Sequence, residues 1–173
     1  MDKLRWPARL YVAAVSLTAV GLILLLNVVP VGLPSRVPPL MAWIFFGLMG
    51  AAWLFPLPLS LKRKLYLDTC VLTAAILLFH PAVAMLIAGA GTAIAHVIRR
   101  EDWVQGTFNS AQIMLQAAAG GLILASSTGG ATRPLFEDSM QVVLVVVASG
   151  VIFLVDNLAV STIVGLESGY SLP

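Results

Sequence analysis

The apolar residues run in long blocks, separated by short clusters of proline, charge or small polar residues. About 20 consecutive apolar residues carry a helix across a bilayer. The pattern predicts an all-α fold: a polytopic membrane protein built as a six-helix transmembrane bundle, with spans over about 11–29, 40–55, 65–79, 82–98, 106–125 and 139–165. Pro30, Pro34, Pro38 and Pro39 break the first span from the second, and Pro56 and Pro58 close the second. The stretch LPLSLKRK, Leu57–Lys64, reads as a loop. His80-Pro81 predicts a tight turn, because proline pushes the residue before it out of the helical region, so spans three and four form a helical hairpin. A polar loop, Ser126–Arg133, leads to Glu137 and Asp138, which suit the positive end of the sixth helix. The chain, residues 1–173, reads as a single integral membrane domain.

The first block has Lys3, Arg5 and Arg9 before it, as a signal peptide would. Its apolar run exceeds the 7–15 residues of a signal core and no small-x-small site follows, so it reads as an uncleaved spanning helix with Pro7 in its lead-in.

Composition agrees with this class. The chain is 60% hydrophobic and 10% charged, with mean hydropathy +0.97; soluble domains are nearer 45–50% apolar and about 25% charged. The pI near 9.0 does not point to nucleic acid, because the basic residues fall at helix ends rather than on one soluble face. Cys70 is the single cysteine, which excludes an intrachain disulfide or a thiolate cluster; in its apolar segment it reads as a small core residue.

Six spans place both termini on one side. With that side cytoplasmic, the inner segments hold eight basic residues (Lys3, Arg5, Arg9, Lys62, Arg63, Lys64, Arg99 and Arg100) and the outer loops two, Arg36 and Arg133. The positive-inside rule then gives both termini cytoplasmic, in a multi-pass protein of the bacterial inner (plasma) membrane. Trp6, Tyr11, Trp53, Tyr66, Trp103 and Tyr170 fall near the same inner interface.

The candidate chemistry lies inside the spans. Asp156, followed by Asn157, sits in the sixth block with no Lys or Arg between Ser139 and Gly165. A carboxylate at mid-span costs about 2.5–3.5 kcal/mol on insertion scales and is a functional candidate by default. Asn109, Gln112 and Gln116 share one face of the fifth helix, continued by Gly120. At 1.5 Å per residue the two glutamines come to a depth similar to that of Asp156. Packing helix five on helix six would bring Asn109, Gln112 and Gln116 to Asp156 and Asn157, with Ser149 and Gly150 as small residues allowing close approach. This cluster reads either as an inward-facing polar cavity for a small molecule, ion or headgroup, or as interhelical hydrogen bonds that fix the bundle. Asp68 reads as the i,i+4 partner of Lys64 near the inner end of helix three, and His96 as a structural residue beside Arg99 and Arg100. Ala84, Ala88, Thr92 and His96, flanked by Gly89 and Gly91, form a small-residue packing stripe on helix four.

No HExxH, Cys/His metal spacing, nucleophile elbow or P-loop lysine occurs, so the expectation is no enzyme and no cofactor or metal. The expected partners are the lipid bilayer and other membrane-protein subunits or further copies of the chain, with room for a small-molecule ligand and no nucleic acid.

The segments TFNSAQIMLQAAAGGLIL (Thr107–Leu124) and FLVDNLAVSTIVGLESGYS (Phe153–Ser171), with PLPLSLK before the third span, resemble the N-terminal multi-helix membrane module of bacterial HD-type phosphohydrolase and diguanylate-cyclase signalling proteins. Asn109, Gln112 and Asn157 carry that likeness. The resemblance implies a membrane input module for a cytoplasmic output domain; neither an HD motif nor a GGDEF-type motif occurs in these residues. The size and helix number are also similar to the substrate-binding subunits of energy-coupling-factor vitamin transporters, although Ala14 and Thr18 match their docking motif poorly. The expected function is a non-catalytic sensing or docking subunit acting through helix contacts; the alternative is the substrate-binding membrane component of a small-molecule transporter.

Overall fold

The computed structural model describes residues 5–28, 37–60, 63–65, 67–127 and 139–168. Among these residues six helices follow one another: α1 (Trp6–Val28), α2 (Pro39–Leu54), α3 (Asp68–Leu78), α4 (Pro81–Arg99), α5 (Trp103–Ser127) and α6 (Ser139–Ser168). Between α2 and α3 lies an antiparallel hairpin of β1 (Leu57–Ser60) and β2 (Arg63–Leu65), pairing Leu57 with Leu65 and Pro58 with Lys64 and bulging before Ser60. Four helices, α1, α4, α5 and α6, are long and apolar enough to cross a membrane, and α2 and α3 are shorter apolar helices. The chain is a helical membrane protein.

Local sequence explains the boundaries. Pro39 and Pro81 occupy the first turns of α2 and α4, where a missing N–H costs nothing. His80 caps α4, its Nδ1 accepting from the Ala82 N–H at 3.3 Å. Arg100 ends α4 in the left-handed region at φ 53°, a position that favours glycine. The predicted Leu57–Lys64 loop is instead the hairpin, and because Arg63–Leu65 pair as a strand, α3 begins at Asp68 rather than residue 65. At 1.5 Å per residue its 11 residues are about 16 Å long. Glu137 and Asp138, and the basic residues Lys3, Arg36, Lys62 and Arg133, lie outside the described residues.

Successive helices run in opposite directions. In α4 and α5, Pro81 meets Gly121, and His96 meets Gly106. Between α5 and α6, Ile152 meets Gly120, and Asp156 meets Gln112. The α1 chain follows α5, with Tyr11 against Phe108, their ring centroids 6.1 Å apart. The α2 chain follows α4, with Met49 against Gly91 and Trp53 against His96. The main core gathers Met49, Leu72, Ile76, Met85, Ile113 and Ile152, drawn from five helices.

The small-residue stripe on α4 is a true packing face: Ala84, Ala88, Thr92 and His96 are all buried. A Cβ on Gly91 would stand 2.8 Å from Met49 Cβ and 3.1 Å from the Phe46 carbonyl oxygen, so α2 approaches only because Gly91 has none. Here α4 packs chiefly on α5 and α2, and touches α3 far less, so the expected α3–α4 hairpin is not a tight pair. Two further expectations are corrected. Cys70 is exposed rather than in the core, because the buried face of α3 is Leu72, Ala75 and Ile76. Gly150 meets nothing within 4 Å, so Ser149 and Gly150 do not form a close helix contact within the chain.

Candidate functional site

The α5 helix builds the site, since it packs on α1, α3, α4 and α6. Its stripe Asn109, Gln112, Gln116, Gly120 follows the helical repeat and faces neighbouring helices. Gln112 and Gln116 are only 5% and 8% exposed, so their amides need partners inside the bundle. Asp156 of α6 supplies one. Gln112 Nε2 donates to Asp156 Oδ1 at 2.7 Å and Gln116 Nε2 donates to the same oxygen at 3.0 Å. Gln112 Nε2 also lies 3.3 Å from the Asp156 carbonyl oxygen. Both amides use Oδ1, and Oδ2 takes neither bond.

The other two candidates go elsewhere. Asn157 is exposed and its Nδ2 donates to the Phe153 carbonyl of its own helix at 2.7 Å. Consecutive residues on a helix point about 100° apart, so only one of the Asp–Asn pair can face α5. Asn109, one turn before Gln112, meets α4 instead, with its Nδ2 3.2 Å from His96 Nε2. The other ring nitrogen of His96, Nδ1, pairs with Glu101 Oε2. Glu101 Oε1 accepts from Arg99 Nε at 3.0 Å, and Arg99 Nη1 donates to the Trp53 carbonyl at 3.3 Å. The Trp53 ring packs on His96 with centroids 5.0 Å apart. This network ties the ends of α2 and α4 to the start of α5.

Asp68 has a different place from the one expected. Because α3 starts late, its first residue is level with Gln116 and Asp156, and Asp68 shares a cavity with both. The expected partner Lys64 has a side chain outside the described residues. The cavity is about 320 Å³ and is also walled by Trp53, Thr69, Thr73, Ser149, Ile152 and Phe153. It lies where α3 and α6 both pack on α5 yet scarcely touch each other. No Lys, Arg or His lines it among the described residues.

The arrangement therefore has two carboxyl groups from separate helices, an amide pair that fixes one of them, and aromatic surface at the wall and rim. It holds no group of three or more His, Cys, Asp or Glu suited to a metal ion among the described residues. Asp68 and Trp53 were missed as members. The available signal was the alternation of Leu57, Leu59 and Leu61, a period of two that marks a strand and pushes the start of α3 toward Asp68. Compared with known families, curated proteins and solved structures, the chain shows no significant match.

Proposed function

We propose that the protein is a non-catalytic membrane module that binds a small polar solute between α3 and α6, serving as a sensing or solute-binding subunit. The cavity carries this reading. A cavity of about 320 Å³ with two carboxyl groups and a glutamine amide on its wall lies at the lower end of the range for small-molecule sites, about 300–1,000 Å³. Hydrogen bonds that only glue helices together would not need such a space, nor a second carboxyl group at its edge. In this proposal all six helices cross the bacterial inner membrane with both termini cytoplasmic. The alternating helix directions and the eight-to-two distribution of basic residues support it. The short α3 would span only part of the bilayer core, with the neighbouring chain completing that crossing.

A second reading, a docking subunit, draws on one observation. An apolar gap of about 490 Å³ opens between α2 and α4, with Trp43 and Leu86 exposed on its walls. Native mass spectrometry of the full chain released in mild detergent separates the two. A stoichiometric non-lipid adduct that disappears in Asp156→Leu supports the solute-binding module. An adduct-free chain in a stable complex with another membrane protein favours docking instead. Topology is tested in a Cys70→Ser background: cysteines introduced at Ser35 and Gly130 should label from outside and one at Arg63 from inside. Inside labelling at Gly130 rejects the six-span arrangement.

A further inference from the structure

We propose that the cavity between α3 and α6 recognises a small organic cation, a protonated amine. This rests on the solute-binding reading and adds the chemical class of the solute.

Charge comes first. Asp68 and Asp156 face one cavity, close enough to act on each other electrostatically, and no basic side chain lines it among the described residues. Two ionised carboxylates in a poorly hydrated bundle repel each other, and no basic side chain among the described residues offsets them at this point. Hydrogen bonding comes second. The glutamine amides both occupy Asp156 Oδ1, which holds the carboxyl group in place and leaves Oδ2 as an acceptor. An ammonium group is donor-only, so it complements the acceptor that remains.

The aromatic wall separates an organic cation from a bare ion. Trp53 and Phe153 both line the cavity. Aromatic faces attract ammonium groups, most strongly for tryptophan and where water is excluded. A calcium ion would ask for six to eight oxygen ligands, and this site offers two carboxyl groups with an amide and hydroxyls around a space far larger than an ion. The volume of about 320 Å³ limits the ligand to a small amine.

Isothermal titration calorimetry on the full chain in lipid nanodiscs tests this with four probes: ethanolamine, putrescine, 1-propanol as the neutral isostere of ethanolamine in which carbon replaces the ammonium nitrogen, and the uncharged polyol erythritol. Ethanolamine or putrescine should bind saturably, and the isostere at least about tenfold more weakly. Asp68→Asn should weaken the bound amine by at least about tenfold. Phe153→Leu, at the exposed rim where folding is not at stake, should weaken ethanolamine more than the isostere. Equal binding of ethanolamine and isostere, or binding of erythritol alone, overturns the amine assignment and leaves the solute-binding module standing. No saturable binding by any of the four overturns both. If Asp68→Asn does not fold, the wild-type comparison of ethanolamine with its isostere decides alone.

Discussion

Removing the two glutamine amides should destabilise the bundle by more than the sum of their separate effects. Each donates to the same oxygen, Asp156 Oδ1, at 2.7 and 3.0 Å. Interhelical hydrogen bonds in membrane proteins average about 0.6 kcal/mol, with a maximum near 1.7. Gln112→Met or Gln116→Met alone leaves the other donor in place, so each should cost about 0.6–1 kcal/mol. The double variant leaves a half-buried carboxyl group with no donor from α5, and an unsatisfied polar group costs about 1–3 kcal/mol in addition. The expected double cost is therefore about 2–5 kcal/mol, beyond the additive value of about 1.2–2. Adding Asp156→Leu should restore much of the loss, because removing both sides of a buried polar contact is far cheaper than orphaning one. Asp156→Asn should cost little by itself, since its amide oxygen can accept from both glutamines. The assay is reversible unfolding in mixed micelles followed by tryptophan fluorescence, with all variants treated as a mutant cycle. Additive losses in the double variant, or no recovery in the triple, would refute the shared-acceptor argument.

Three further outcomes are expected. Gly91→Ala should destabilise by about 1–2 kcal/mol, since its Cβ would meet Met49 and the Phe46 carbonyl, whereas Gly150→Ala, with open space around it, should be neutral or stabilising; equal losses at both sites in the same unfolding assay would contradict the α2–α4 packing. Thr92→Val should raise stability by about 1 kcal/mol or more, because Thr92 is 0% exposed and its hydroxyl has no partner among the described residues; a lower unfolding midpoint would show that the hydroxyl is satisfied. Arg100→Gly should stabilise by about 0.5–1 kcal/mol, as the residue holds φ 53° at the end of α4, and a loss in thermal stability would mean the arginine side chain outweighs its backbone strain.

The helices and one half of the site were legible because both depend on period and length alone. Gln112 and Gln116 stand four apart on α5, and a carboxyl group in an apolar block demands donors, so their meeting with Asp156 follows from the repeat and the antiparallel turn. Asn109 and Asn157 were drawn into the same cluster because a stripe states which residues share a face, not how far one side chain reaches. One turn along α5, the nearest partner is already His96 of α4.

Asp68 shows why the other half was not legible. Its role depends on where α3 begins, and helix starts are the least certain feature of an apolar block. Read as a helix from residue 65, the segment puts Asp68 one turn from a lysine, and an ion pair at the membrane edge explains it. With Arg63–Leu65 paired as a strand, the same aspartate becomes the first residue of a helix only about 16 Å long. A helix that short cannot start at one face of a bilayer core about 30 Å thick and also reach the other. Because Ile76 of α3 meets Gly120 and Phe79 meets Phe45, the far end is fixed by packing, and the missing length falls at the near end. That shortfall carries Asp68 into the bundle beside Asp156 and leaves the space between α3 and α6.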